Sequence, residues 1–79
     1  MDREMAQVIL MSALRARNEL AGLMPDLKKH WRKDDSQVRD SIASAVYEIG
    51  IVTDRVFEQF PDLKAACNAR SKRYGRSYY

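Results

Sequence analysis

Little in this chain can cross-link, hold a metal or form a long loop. A single cysteine, Cys67, rules out an internal disulfide and suits a reducing compartment. A single histidine, His30, has no second histidine and no cysteine at ligand spacing, whereas zinc needs three or four such groups. With three glycines and two prolines, extended loops are not expected. No apolar run approaches the roughly 20 residues of a membrane-spanning helix. There is no glycine-rich phosphate loop, no HExxH, and no set of Ser, His and Asp that stands out. The carboxylate pairs Asp34-Asp35 and Asp54/Glu58 read as a helix cap and a solvent face, not as a sheltered acid–base site. The thiol of Cys67 has no obvious neighbouring base to activate it and is expected to be buried and inert. These absences predict a protein without catalytic, cofactor or metal residues, one that is cytoplasmic and not embedded in a membrane.

What is present is helical periodicity. Val38, Ile42, Ala45, Ile49, Val52, Val56 and Phe60 follow one another at intervals of 4, 3, 4, 3, 4 and 4. Such spacing keeps one side of an α-helix apolar over about six turns, where a strand would alternate at every second residue. A second seam, Met5, Ile9, Ala13, Ala16, Leu20 and Leu23, flanked by Val8 and Leu14, predicts a helix from Asp2 or Arg3 to Leu23. Asp2 is placed to cap its start, and Glu4 suits the positive end of the helix dipole. The stretch Met5–Leu14 has the length of a signal-peptide core. However, Asp2 and Glu4 flank it, Gln7 and Ser12 interrupt it, and its pattern runs on to Leu23, so it reads as helix. Gly22 and Pro25 are stop signals, Pro25 because it disfavours helical geometry at Met24.

A short helix is expected from Pro25 to about Lys33, with Leu27 and Trp31 on one face. Asp34, with Gln37 three residues later, resembles a capping box for the long helix, which should end at Phe60. A fourth helix is expected from Pro61 to about Tyr74, with Gly75 as a left-handed terminator. The expected fold is all-α: a small helical bundle in which two long amphipathic helices form an antiparallel pair and two short helices cover its ends. Ala13, Ala16 and Ala45 would permit close approach of the long pair. Residues 1–75 form the single domain in this reading, and residues 76–79 a frayed tail. Met24-Pro25-Asp26-Leu27-Lys28 echoes Phe60-Pro61-Asp62-Leu63-Lys64. The echo fits either two helix-pair repeats or two uses of a good helix-start dipeptide.

The overall charge is +3, unevenly distributed. From Pro61 onward the net charge is +4, whereas Ser36–Phe60 carries −2. The basic stretch of Arg70, Lys72, Arg73 and Arg76, interleaved with Tyr74, Tyr78 and Tyr79, is the main candidate for partner binding. Arg and Tyr are common anchors at protein interfaces. The same mixture can neutralise phosphates and stack on exposed bases, or simply keep a tail solvated. Lys28, Lys29, Trp31, Arg32 and Lys33 form a secondary candidate surface, with a solvated basic face and a core-capping Trp as the plainer reading.

The run from Ser41 to Asp62 resembles the helix-turn-helix stretch of TetR-type repressors. Gly50-Ile51 falls where that family turns. Val56-Phe57 and Phe60 fall where its recognition helix carries an aliphatic, an aromatic and a closing Phe, and Asp62 follows in place. Val52, Leu63 and Val46 depart from the family pattern, and the seam passes through Gly50 in phase. The resemblance implies DNA binding through a turn at Gly50. The continuous seam implies a single helix over residues 35–60.

Taken together, the sequence predicts a non-enzymatic helical interaction protein: a homodimer that acts as a regulator, adaptor or inhibitor, of the kind phages and mobile elements also carry. Its partner would be a larger protein or nucleoprotein complex with an acidic patch. The alternatives are a DNA-binding regulator with a turn at Gly50, or a non-specific nucleic-acid binder acting through the basic C-terminus.

Overall fold

The computed structural model describes residues 1–30, 32 and 35–75, and among them every regular element is a helix. The order is α1 (Arg3–Gly22), α2 (Met24–Lys29), α3 (Ser36–Gln59) and α4 (Pro61–Tyr74). The expected capping residue Asp34, together with Trp31, Lys33 and the C-terminal residues 76–79, lies outside the described residues.

The helix boundaries have local causes. Asp2 is extended, and its carboxylate accepts a hydrogen bond from the Met5 amide at 2.8 Å, satisfying one of the four amides that a helix start leaves unpaired. At its other end α1 yields to α2 with hardly a break. Leu23 keeps right-handed helical geometry, and its carbonyl already accepts from the Leu27 amide at 2.9 Å. Met24 is the first residue of α2 despite preceding Pro25, which corrects the expected start by one residue. A proline this early costs no helical hydrogen bond, because the first amides have no intrahelical partner. α2 closes at His30, short of the expected Lys33. Asp35 stands in the capping position of α3 without a side-chain cap bond. Its carboxylate accepts instead from the Arg32 amide at 3.1 Å, which tightens the turn before the helix. Gly75 ends α4 at φ 73°, with its amide donating to the Ser71 carbonyl at 2.8 Å, as a left-handed terminator does.

α3 is a single helix of 24 residues that passes through Gly50 without interruption. The turn implied at Gly50-Ile51 by the repressor resemblance is therefore not formed. Gly50 has no positive φ, and the Thr53 hydroxyl donates to its carbonyl at 2.8 Å, a back-bond within one helical turn. That bond lets Thr53 lie buried with its polar atom satisfied.

The core joins Ala6 and Leu10 of α1, Val56 of α3 and Leu63 of α4, with Ile9, Phe57 and Phe60 packed against it. Leu14, Thr53 and Cys67 complete the buried set. The α1 seam is thus corrected. Its buried line is Ala6, Leu10 and Leu14, spaced 4 and 4, one residue on from the expected line. One residue is a rotation of about 100°. Met5, Ala16 and Leu23 of the expected seam are exposed, as is the flanking Val8, while Ile9, Ala13 and Leu20 are half-buried. Two apolar lines compete on α1, and the one that meets Val56 and Leu63 wins. The α3 seam holds better: Val56 is buried and Ile42, Ala45, Ile49 and Phe60 are half-buried. Val38 and Val52, however, stand at its outer margin, 54% and 43% exposed.

The core occupies one end only. Among the described residues from Arg15 to Val52, none is buried. The molecule is long and thin, 44 × 26 × 15 Å, with a radius of gyration of 14.4 Å. A compact domain of 79 residues has about 12 Å. The accessible surface is 6098 Å² for a 9.2 kDa chain, against about 4,900 Å² for a compact monomer of that mass.

Candidate interaction surfaces

Three features outside the core have the chemistry of recognition. The first is the basic end of α4. Leu63 and Cys67 hold the start of the helix against the core, and beyond Cys67 no described residue is buried. Arg70, Lys72, Arg73 and Tyr74 are all exposed there. Lys72 and Arg73 lie in the last turn, where positive charge is favoured by the helix dipole. The Arg73 guanidinium lies 5.6 Å from the centre of the Tyr74 ring, within cation–π range. The structure therefore brings these four together at one end of the molecule. At 100° per residue they fan around the helix and form no stripe. Arg76, Tyr78 and Tyr79 are outside the described residues.

The second feature is the α2 region. Lys28, Lys29 and Arg32 are exposed, and Trp31 and Lys33 lie outside the described residues. Met24, Leu27 and Lys28 of α2 line a cleft together with Arg39 of α3. The involvement of Arg39 was not legible in the sequence, because it depends on how α2 sits against α3.

The third feature is apolar surface. Met1, Met5, Val8 and Met11 are each more than half exposed. On the helix, Met5, Val8 and Met11 lie opposite Ala6, Leu10 and Leu14, so the first three turns of α1 are apolar on two sides. Methionine is unbranched and polarisable, and it adapts to irregular partner surfaces. A signal was available in the sequence: Met5, Val8 and Met11 recur at every third residue, beside the lines spaced four apart. Leu20 of α1 and Gln37, Val38, Ser41, Ile42 and Ala45 of α3 line an open groove of about 400 Å³. Tyr47, on the outer side of α3 and 69% exposed, is a further aromatic that periodicity alone did not single out.

Chemically reactive features are sparse. Burial pushes the Cys67 thiol above its ordinary range, against smaller opposing pulls from Ser71, Arg70 and Arg17. A thiol held protonated is a poor nucleophile. Asp62 is held below the usual carboxylate range, chiefly by a hydrogen bond from the Arg3 guanidinium. This ion pair links the start of α1 to the start of α4. Among the described residues no group of three or more His, Cys, Asp or Glu could hold a metal ion. Among them, too, no helix is long and apolar enough to cross a membrane. No family model, curated protein or solved structure matches the chain.

Proposed function

We propose that this chain is a non-enzymatic interaction protein of the cytoplasm. It self-associates and binds a larger protein, or a nucleoprotein complex, through the basic end of α4. In this reading α1 and α3 form an antiparallel pair that is half of a bundle. The early residues of α1 share the core with the late residues of α3, and Leu20, late in α1, shares a groove with the early residues of α3. The observation that carries the proposal is the confinement of the core to one end. A thin layer of helices leaves apolar side chains on both its faces, and such patches mark surfaces meant for a partner. Regulators, adaptors and inhibitors work by occupying a surface in this way.

The partner that suits the α4 end is a protein with an acidic patch. Arg70, Lys72 and Arg73 supply charge-assisted hydrogen bonds, and Tyr74 adds an amphipathic ring. Duplex DNA is the weaker fit. The basic residues fan around the helix, and the neighbouring α3 is net acidic, so few phosphates can be neutralised at once. The test is capture from a nuclease-treated lysate of the native host, using the parent chain and a variant with Arg70, Lys72 and Arg73 changed to Ala. A protein held by the parent and lost by the variant is expected. Nanomolar, sequence-specific duplex binding at physiological salt would overturn the reading and favour a DNA-binding regulator.

A further inference from the structure

The outer side of α1 carries a short line that is symmetric in spacing and opposite in charge at its two ends. Glu4, Val8, Met11 and Arg15 follow one another at intervals of 4, 3 and 4. That is the spacing by which one helix packs along another, and it holds the four within about 60° around the helix. The line lies roughly 130° around the helix from the buried line of Ala6, Leu10 and Leu14. All four of its residues are exposed, as is Met5 beside them. Glu4 and Arg15 are about 16.5 Å apart along the axis, too far to pair with one another. Among the described residues neither makes an ion pair, not even Arg15 with Glu19 one turn on.

We infer that a second copy of this chain covers this line, with the two α1 helices antiparallel about a two-fold axis midway between Val8 and Met11. This rests on the self-association proposed above and names its surface. The axis sets Val8 of each copy against Met11 of the other, and Glu4 of each against Arg15 of the other. Two apolar layers then lie at the centre, and an ion pair closes each end. Two-fold symmetry makes the contact self-complementary and closes the assembly at two chains. Methionine, unbranched and polarisable, adapts to the valine it faces.

The order of charge along the line selects both the occupant and its direction. A partner helix must offer a basic residue, two apolar residues and an acidic residue at the same spacing. The line itself, turned end for end, is that series. Parallel copies in register would instead set Glu4 on Glu4 and Arg15 on Arg15 within the seam. The charges stand at the ends of a short seam and stay partly in water. They therefore fix register and direction more than they add affinity. A contact of three helical turns belongs to the small class of interfaces, so its affinity is no tighter than micromolar.

The test is sedimentation equilibrium of the full chain from low to high micromolar concentration. The parent is expected to pass from monomer to dimer over that range. Val8→Asp is expected to stay monomeric with its helical circular dichroism intact, because Val8 is 53% exposed within its own chain. Glu4→Arg and Arg15→Glu should each weaken association about tenfold, since two attractive pairs become two repulsive ones. Mixing the two variants should restore association, because unlike charges then meet at both ends. Both changes carried in one chain should restore it as well, which separates lost pairing from a frayed helix start. A dimeric Val8→Asp, or single-charge variants that associate as the parent does, would overturn this seam and leave self-association standing. Failure of the mixture and of the doubly changed chain to recover would overturn the antiparallel register. A monomeric parent would overturn the seam and self-association together.

Discussion

Gly50 and Gly75 show how one residue type serves opposite ends at the scale of a single position. Gly50 sits inside α3 with helical geometry, and a Cβ added there would meet nothing within 4 Å. Gly50→Ala is therefore expected to stabilise the chain by about 0.5–1 kcal/mol, because alanine loses less backbone freedom on folding. Gly75 has equal space but a φ of 73°, where a Cβ clashes with its own backbone. Gly75→Ala is expected to cost about 1 kcal/mol and to fray the last turn of α4. Urea unfolding of both variants checks the pair of opposite signs. Had Gly50 formed the turn of a helix-turn-helix, Gly50→Ala would destabilise. The buried line of α1 is open to the same kind of test. Leu10→Ala should cost about 2–5 kcal/mol, since the side chain is fully buried, while Met5→Ala should cost less than about 1 kcal/mol. Equal losses would return the seam to the line through Met5 and Ile9.

Between elements, the join of α1 to α4 combines apolar and ionic contacts. Ala6 and Leu10 meet Leu63 in the core, and Arg3 meets Asp62 at the surface. Both charged side chains are more than half exposed, so the pair serves register more than stability. Its pH dependence has a definite sign. The Asp62 carboxyl is held below its ordinary value of 3.8, so its contribution is whole above that value. It is lost as the pH falls through the lowered one. Asp62→Asn should flatten this part of the acid limb. Comparing urea midpoints at about pH 6 and about pH 2.5, the parent should fall further than the variant. An identical fall in both would mean that the ion pair does not form in solution.

At the scale of the whole molecule, the decisive property is the mismatch between helix length and core length. α3 runs for 24 residues, yet its buried residues are Thr53 and Val56, both in its last third. A chain in this state gains stability by covering the remainder. Thermal unfolding should accordingly depend on protein concentration, with the midpoint rising as the concentration is raised from low to high micromolar. A midpoint independent of concentration would place the helices' cohesion within the single chain.

The all-helical class, the single long α3 and its end before Pro61 were legible in sequence, because periodicity and prolines act within a few residues of themselves, whereas the expected cap at Asp34 gives way to Asp35, which makes no side-chain cap bond. The spacing through Gly50 spoke for one helix against the repressor resemblance, since a real turn would have broken the phase of the apolar line. The exposed basic end of α4 was also legible, as a cluster of like charge beyond the last apolar residues. Only the tertiary structure decided which side of α1 is inside. Met5–Ile9–Ala13 and Ala6–Leu10–Leu14 are both apolar lines of helical spacing, and choosing between them requires Val56 and Leu63, which are distant in sequence. Only the tertiary structure, likewise, placed Arg39 in one cleft with Lys28, joined Arg3 to Asp62 and left Val38 and Val52 uncovered. Local spacing determines what a helix can bury. What it does bury depends on how much surface its neighbours have to offer, and here they cover only one end.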